Sequence, residues 1–428
     1  MTSPLQSIVL SFTINLRRAV TLSMVVALVI VLTPSARSQT FQVIHTFSGG
    51  GDGANPHAGL TVDAAGNLYG TALNGGVGFG TVFKVRHSSA SWVLTPLYSF
   101  ANGDDGANPF GRVAIAQDGT LYGTTSDAVS GCNSHGCGTV FHLTPPPSAP
   151  RSALAPWNET VLFTFTGVYN GAIPQGDVIF DQSGNIYGTT IGGGNEGDGV
   201  VCELTPSAGG WTQTELYSPG DLSLFSAPYG GVVFDNAGNL YGTSRYGGYG
   251  GAGNVYRLSF SGSSWKAQSL HQFEERGNDG AQPIGGLIID ASGNLYGSTS
   301  IGGPGGGGTV FEITFANGSW TFSTLYNFPY VSDNGGPQDK LVMDAAGNLY
   351  GTAFADGAYG YGSVFKLSPG ADGWSYTSLH DFTGGDDGAN PYSNVVFDAN
   401  GNVYGTTSAG GSSGDCSGGC GVVWEIKR

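Results

Sequence analysis

Four stretches of the chain carry the same run of potential ligand groups. Gly51-Asp52-Gly53-Ala54-Asn55-Pro56 returns as Asp104-Asp105-Gly106-Ala107-Asn108-Pro109, Asn278-Asp279-Gly280-Ala281-Gln282-Pro283 and Asp386-Asp387-Gly388-Ala389-Asn390-Pro391. Carboxylates beside loop carbonyls are what a hard cation such as Ca²⁺ takes, roughly six to eight oxygens at a time. His57 follows the first of these runs, and with Asp52, Asp104 and Asp105 it could exchange protons during cleavage of a polysaccharide. The same residues can equally serve the loop itself, Asp and Asn by capping turns and Pro by fixing the direction of the chain. The candidate binding residues are therefore Asp52, Asn55, His57, Asp104, Asp105, Asn108, Asp279, Asp386, Asp387 and Asn390. The spacing matches no dedicated calcium loop, so no cofactor is expected, with Ca²⁺ the one ion these loops could take.

Catalytic signatures are missing. There is no Gly-x-Ser-x-Gly elbow, no His-Glu-x-x-His pair and no phosphate loop, so no catalytic residue is assigned and a non-enzymatic role is expected. If the protein is an enzyme, clustered polar residues that break the repeat should mark the site, and His57, Arg112 and Asp104 are where to look. His45, His271 and His380 occupy positions filled elsewhere by aromatics and are expected to pack. Of five cysteines, Cys132 with Cys137 and Cys416 with Cys420 are close enough in sequence to staple two separate loops. Cys202 aligns with Phe83 and Phe311 and should be a buried free thiol. A Cys-His-Cys metal site through His135 is the alternative for the first pair.

These groups are set by a repeat. The phrase Asp63-Ala64-Ala65-Gly66-Asn67-Leu68-Tyr69-Gly70-Thr71 recurs, its Tyr-Gly pair returning at Tyr122, Tyr187, Tyr241, Tyr296, Tyr350 and Tyr404, 53 to 55 residues apart except for one interval of 65. That interval contains the Pro-rich stretch from Pro145 to Pro156. Alternating apolar and polar residues make Gly59 to Asp63 a strand, Asp63 to Gly66 a type I turn and Asn67 to Thr71 a second strand. Thr81 to Val85 and Trp92 to Phe100 supply two more. Four short strands in each of seven units, with no helical periodicity, predict an all-β, seven-bladed β-propeller. The chain finishes on a third strand, Val422 to Ile426, and the segment Phe41 to Phe47 is an orphan fourth strand, so the N-terminal strand should complete the last blade and close the ring. Gly70 and its equivalents should leave room for an aromatic of a neighbouring blade. In the second unit Ala116 replaces the turn Asp and Thr120 the Asn, which predicts its loosest hairpin.

The phrase Asp-x-x-Gly-Asn-Leu-Tyr-Gly-Thr, the Gly-Gly loop after it and Gly362-Ser363-Val364-Phe365-Lys366-Leu367 resemble the GloVer (Gloeobacter/Verrucomicrobia) tandem repeat of bacterial "choice-of-anchor" exported proteins, over residues 39 to 428. The strand pattern is also similar to NHL and streptogramin-lyase-type propellers. The GloVer resemblance implies an exported, surface-associated repeat protein of undetermined activity, with no catalytic residues to carry over. The chain departs from that pattern in ending at Arg428 without a sorting segment, which leaves cell anchoring open.

Composition agrees with export. Residues 1–38 read as a signal peptide: Arg17-Arg18, an apolar run from Val20 to Leu32, and Ala36-Arg37-Ser38 before a cleavage point at Gln39. The mature domain, 39–428, has no second apolar stretch and should be a monomer without a transmembrane segment, secreted, at the cell surface or periplasmic. The formal charge of −16 excludes nucleic acid and anionic membrane as partners. The leading expectation is a binding or surface-interaction module for a glycan or a protein, with Phe79, Tyr246, Tyr249, Tyr359 and Tyr361 as stacking surfaces. A propeller polysaccharide lyase or glycosidase is one alternative, and a structural surface component is another.

Overall fold

The computed structural model describes residues 39–89, 91–128, 132, 136–147, 156–219, 225–248, 250–274, 277–330, 332, 335–412 and 416–428. The signal peptide, His135 and Tyr249 lie outside them. The unit Phe41–Lys427 consists of seven sheets of four antiparallel strands: a seven-bladed β-propeller, as predicted. In the first blade the strands run from axis to rim as β2 (Thr61–Val62), β3 (Leu68–Ala72), β4 (Thr81–Ser88) and β5 (Ser91–Ser99). The strand β1 (Thr40–Thr46) pairs with the last strand, Val422–Lys427, as the outer member of the seventh blade. The ring is thus closed by the two ends of the described chain.

One carboxylate builds each hairpin. Asp63 accepts from the backbone N–H groups of Ala65 and Asn67 (both 2.9 Å), from Asn67 Nδ2 (2.7 Å) and from the Tyr69 hydroxyl (3.1 Å). Burial alone would raise its pKa, but these bonds outweigh it and hold the carboxyl below its usual range. Asp235, Asp344 and Asp398 repeat the arrangement. In the second blade the turn survives the loss of Asp: Ala116 N still bonds Thr120 O (2.9 Å), and Asp118 caps Thr120 instead.

Alternating residues feed opposite interfaces. Leu68 packs with Val396 and Tyr404 of the seventh blade, while Tyr69 packs with Val113 and Leu121 of the second. Both faces of the sheet are therefore core at its inner strands, which is why β3 is buried along its whole length and lacks a polar side. The glycine of Tyr-Gly is needed for a reason other than the expected one. The aromatic over Gly70 is Phe83, its cross-strand partner in the same blade, whose Cζ would stand 2.6 Å from an added Cβ. The third blade is the exception, for Cys202 sits opposite Gly188 beside a void of about 10 Å³. Cys202 is a buried free thiol, pushed up to about 12 by burial. Disulfides join Cys132 to Cys137 and Cys416 to Cys420.

Candidate functional site: the axial pocket

The Asp-Gly-Ala-Asn-Pro segments connect the fourth strand of one blade to the first of the next. In six of them the residue before Pro takes a left-handed conformation: Asn55, Asn108, Ile173, Ala227, Gln282 and Asn390, with φ between 53° and 58°. Ile173 there is strained, since a β-branched side chain disfavours positive φ. The conformation lets the backbone N–H reach the preceding blade, as Asn55 N does to Cys420 O (2.8 Å) and Asn390 N to Tyr361 O (2.7 Å). Pro then turns the chain inward, and the next three residues line the ring's axis. A further tie comes from the hydroxyl that follows Tyr-Gly. Thr71 donates to Gly111 O (3.3 Å), Thr243 to Gly285 O (2.9 Å), Thr352 to Ser393 O (2.6 Å) and Thr406 to Ala58 O (3.2 Å), each pinning the axial segment of the next blade. In the second, third and fifth blades the equivalent Thr124, Thr189 and Ser298 hydroxyls are buried without a partner. The axial segments after those three hold Asp177, Tyr229 and Asp339.

Those segments enclose a pocket of about 270 Å³. Its charged groups come from four blades. Arg112 Nη2 meets Asp177 Oδ2 at 3.0 Å, and Arg112 N donates to Asp177 Oδ1 at 3.0 Å, locking the second blade to the third. Asp339 accepts from Lys340 N (2.6 Å) and Asn394 N (2.8 Å). Burial first, and then the nearby Asp177 charge, push the Asp339 carboxyl above its usual range. Lys340 is surrounded by protein on nearly all sides yet keeps some surface against the cavity. Burial, with Arg112 close by, lowers its pKa, and its Nζ has no hydrogen-bond or ion-pair partner among the described residues.

Arg245 completes the wall. It sits in the loop between second and third strands of the fourth blade, which the Ser226–Tyr246 bridge and the bond from Arg245 N to Ala227 O (3.0 Å) hold against the axial segment. Its Nε and Nη2 donate to Gln282 Oε1 (both 3.2 Å) and its Nη1 to the Tyr229 hydroxyl (3.4 Å). The guanidinium lies over the rings of Tyr229 and Tyr246, at 5.3 and 5.1 Å. It pairs with no carboxylate among the described residues. Opposite, His57 stacks on Tyr392 (4.6 Å) and meets Phe110 edge-on. Burial drives its pKa down to about 4, so the imidazole is neutral.

Of the residues singled out in the sequence, the structure brings His57 and Arg112 to this pocket. The loop carboxylates mostly go elsewhere. Asp52 accepts from Ser48 N (3.0 Å) and contacts His45 Nε2 (3.0 Å); Asp279 and Asp387 contact His271 (2.8 Å) and His380 (3.0 Å) in the same way. Asp105 takes the Tyr98 hydroxyl (3.1 Å) and two backbone N–H groups of its own loop. Asn55, Asn108 and Asn390 spend their amides on the carbonyls of Ser408, Leu73 and Phe354. Asp104 and Asp386 are exposed loop residues. Among the described residues no group of three or more His, Cys, Asp or Glu is arranged to hold a metal.

Asp177, Tyr229, Arg245, Asp339 and Lys340 escaped the sequence reading. For Asp177 and Lys340 a signal existed in the third residue after Pro, a column of an otherwise faithful repeat that is Gly at 59, 231 and 286 but Arg112, Asp177, Lys340 and Asn394 in the other blades.

Comparison with known proteins bears on the architecture. The fold is similar to that of an ulvan lyase of polysaccharide lyase family PL25, at 13% identity and a TM-score of 0.55, covering 89% of this chain and 95% of that one. It is also similar to the polysaccharide lyase Uly1, at 12% identity and a TM-score of 0.52, covering 87% and 90%. Identities this low speak for the fold alone. Comparison with curated proteins gives no sequence match. The Gloeobacter/Verrucomicrobia repeat matches at residues 27–223, 135–343 and 212–423, overlapping stretches that span nearly every blade. The chain belongs to the Gloeobacter/Verrucomicrobia repeat family.

Proposed function

We propose that the protein binds an acidic saccharide in the axial pocket, as an exported glycan-binding module. The observation that carries this reading is Arg245. A guanidinium keeps its charge at any ordinary pH, and this chain offers 31 acidic side chains against 15 basic ones. Yet Arg245 faces the cavity between two tyrosines with only a neutral amide and a hydroxyl as partners. A carboxylate or sulfate entering the pocket would meet a planar set of N–H donors, the geometry that favours bidentate recognition. Tyr229, Tyr392 and Phe110 give the flat apolar surfaces against which sugar rings stack. The pocket lies near the lower limit of small-molecule sites, roughly 300–1,000 Å³, which suits one or two sugar units of a longer chain. Export is supported by the two disulfides, which persist in oxidising compartments, and no helix among the described residues is long and apolar enough to cross a membrane.

The solved relatives in architecture act on polysaccharide, as their names state, and one was captured with -[GlcA(1-4)Rha3S]- bound. That is a fact about those proteins; the reading here rests on the pocket.

Calorimetry with hexuronate oligosaccharides and with neutral glucose oligosaccharides, with and without a calcium chelator, tests it. The acidic series should bind and the neutral series should not. Arg245→Gln, with an unchanged circular dichroism spectrum, should weaken binding about tenfold or more, the value of a charge-assisted bond of about 1.5–3 kcal/mol. Equal affinity for both series, or an unaffected Arg245→Gln variant, would sink the proposal. Affinity that disappears on chelation would instead move the site to the loop carboxylates.

A further inference from the structure

We propose that the axial pocket is also catalytic and cleaves its acidic polysaccharide by β-elimination, with Lys340 as the base, Arg245 holding the carboxylate and Tyr229 as the acid. This rests on the acidic-saccharide reading of the same pocket and adds a reaction to it.

Three tasks must be met to eliminate across a uronate. The carboxylate must be neutralised so that the adjacent C5–H becomes acidic, a base must remove that proton, and an acid must protonate the departing O4. The cavity offers one group for each. Arg245 makes no ion pair among the described residues and opens on the cavity. Lys340 places an amine with no partner against the same cavity, and a base must be free of its proton before it can act. Burial and the neighbouring Arg112 favour the neutral amine and together outweigh Asp177 and Asp339, which favour the ammonium, as with other desolvated lysines set beside a second cation. The charges facing Lys340 are Arg112 from the second blade, Asp177 from the third and Asp339 beside it. Tyr229 accepts from Arg245 Nη1, which leaves its own O–H proton uncommitted and places it next to the residue that holds the carboxylate.

Hydrolysis fits the same pocket less well. It calls for two carboxyl groups flanking the scissile bond, and the two present are fully engaged. Asp177 gives both oxygens to Arg112, and Asp339 gives both to backbone N–H groups. His57 has its Nδ1 buried without a partner and its ring stacked on Tyr392; it shapes the wall.

The step balances without a cofactor. Lys340 Nζ takes the C5 proton, the C–H electron pair forms the C4=C5 double bond, and the C4–O4 bond breaks. Tyr229 gives its proton to O4, and the Lys340 ammonium returns a proton to the Tyr229 phenolate, directly or through water. One chain becomes a fragment with a 4,5-unsaturated uronate at its non-reducing end and a fragment with a new reducing end, whose anomeric hydroxyl keeps the former bridging oxygen. Nothing is oxidised or reduced, and no water is consumed.

The test uses the mature protein with polygalacturonate, alginate and hyaluronan, scoring binding by calorimetry and cleavage by the ultraviolet absorbance of the conjugated C4=C5 product. At least one bound polymer should yield that absorbance. Lys340→Arg, which keeps a long basic side chain but never gives up its proton, should lower the rate by about 100-fold or more, in the range that general acid–base groups contribute. Tyr229→Phe should do the same. Both variants should still bind within about threefold of wild type, which separates loss of chemistry from loss of fold. If polymers bind but none acquires unsaturated ends, the elimination is wrong and the binding reading stands. New reducing ends without unsaturation would replace elimination by hydrolysis. If no acidic polymer binds, both readings fail.

Discussion

Gly351→Ala should lower the melting temperature sharply, while Gly188→Ala, at the same place in another blade, should leave it unchanged or raise it. An added Cβ at Gly351 would stand 2.7 Å from Phe365 Cζ and 3.0 Å from Leu341 Cδ2, both buried. Neither neighbour can retreat without disturbing the core between the fifth and sixth blades, in which both take part. Overpacking of this kind costs about 1–3 kcal/mol and at times more. At Gly188 the nearest atom is Val178 Cγ1 at 3.7 Å, ordinary contact, because Cys202 stands where other blades place an aromatic ring. There the alanine removes the entropic cost of a glycine inside a strand, about 0.5–1 kcal/mol. Thermal unfolding followed by circular dichroism compares the two directly. Similar losses at both sites would show that the glycine serves the backbone rather than the ring above it.

Deleting residues 39–47 should abolish stable folding. Phe41 and Val43 of β1 pack into the core shared by the sixth and seventh blades, and Ile44 and Phe47 into the core shared by the seventh and first. Full burial of a large side chain contributes about 1.5–3 kcal/mol; Phe47 is fully buried and the other three partly so, so together they contribute several kcal/mol, a large share of the roughly 5–15 kcal/mol of a typical domain. The deletion also strips Gln42 from the buried Glu425 and leaves Val422–Lys427 as an open edge, a template for aggregation. Moving the same nine residues to the far end, joined behind Arg428 by a short flexible linker, should restore the fold, since the strand would reach its place beside the same partner. A soluble deletion variant with an unchanged melting temperature would contradict closure by β1.

The ring is legible in the chain because its hairpins are closed by short-range contacts. Asp63, Asn67 and Tyr69 lie within seven positions of one another, and their bonds form inside that span; six copies, and a seventh that keeps only the Tyr, make the pattern unmistakable. Ring closure is legible too, from a third strand without a fourth and a fourth without a third. The axial site is different in kind. Arg112, Asp177, Arg245 and Asp339 are separated by scores of residues, and only closure of the ring brings them to one cavity. The loop carboxylates drew notice because they repeat, yet repetition marks what every blade needs: Asp52, Asp279 and Asp387 tie their loops to His45, His271 and His380. Function in a repeat protein is carried by the columns that vary, and here those are the three residues after Pro, which hold His57, Tyr229, Asp339 and Lys340. The aromatic over Gly70 was placed in the wrong blade for a related reason. The repeat fixes that an aromatic must lie close, and only the register of β3 against β4 tells that it is Phe83.

The central claim is that these axial residues, with Arg245, form a receptor for an acidic sugar. Its most direct test is a crystal structure of the mature protein soaked with a hexuronate oligosaccharide. The account predicts a sugar ring at the axis against Tyr229 or Tyr392, with its carboxylate about 2.7–2.9 Å from the Arg245 guanidinium, the spacing of a charge-assisted hydrogen bond. A sugar bound instead at the exposed Tyr359 and Tyr361 of the sixth blade, with the axial pocket holding only water, would contradict it.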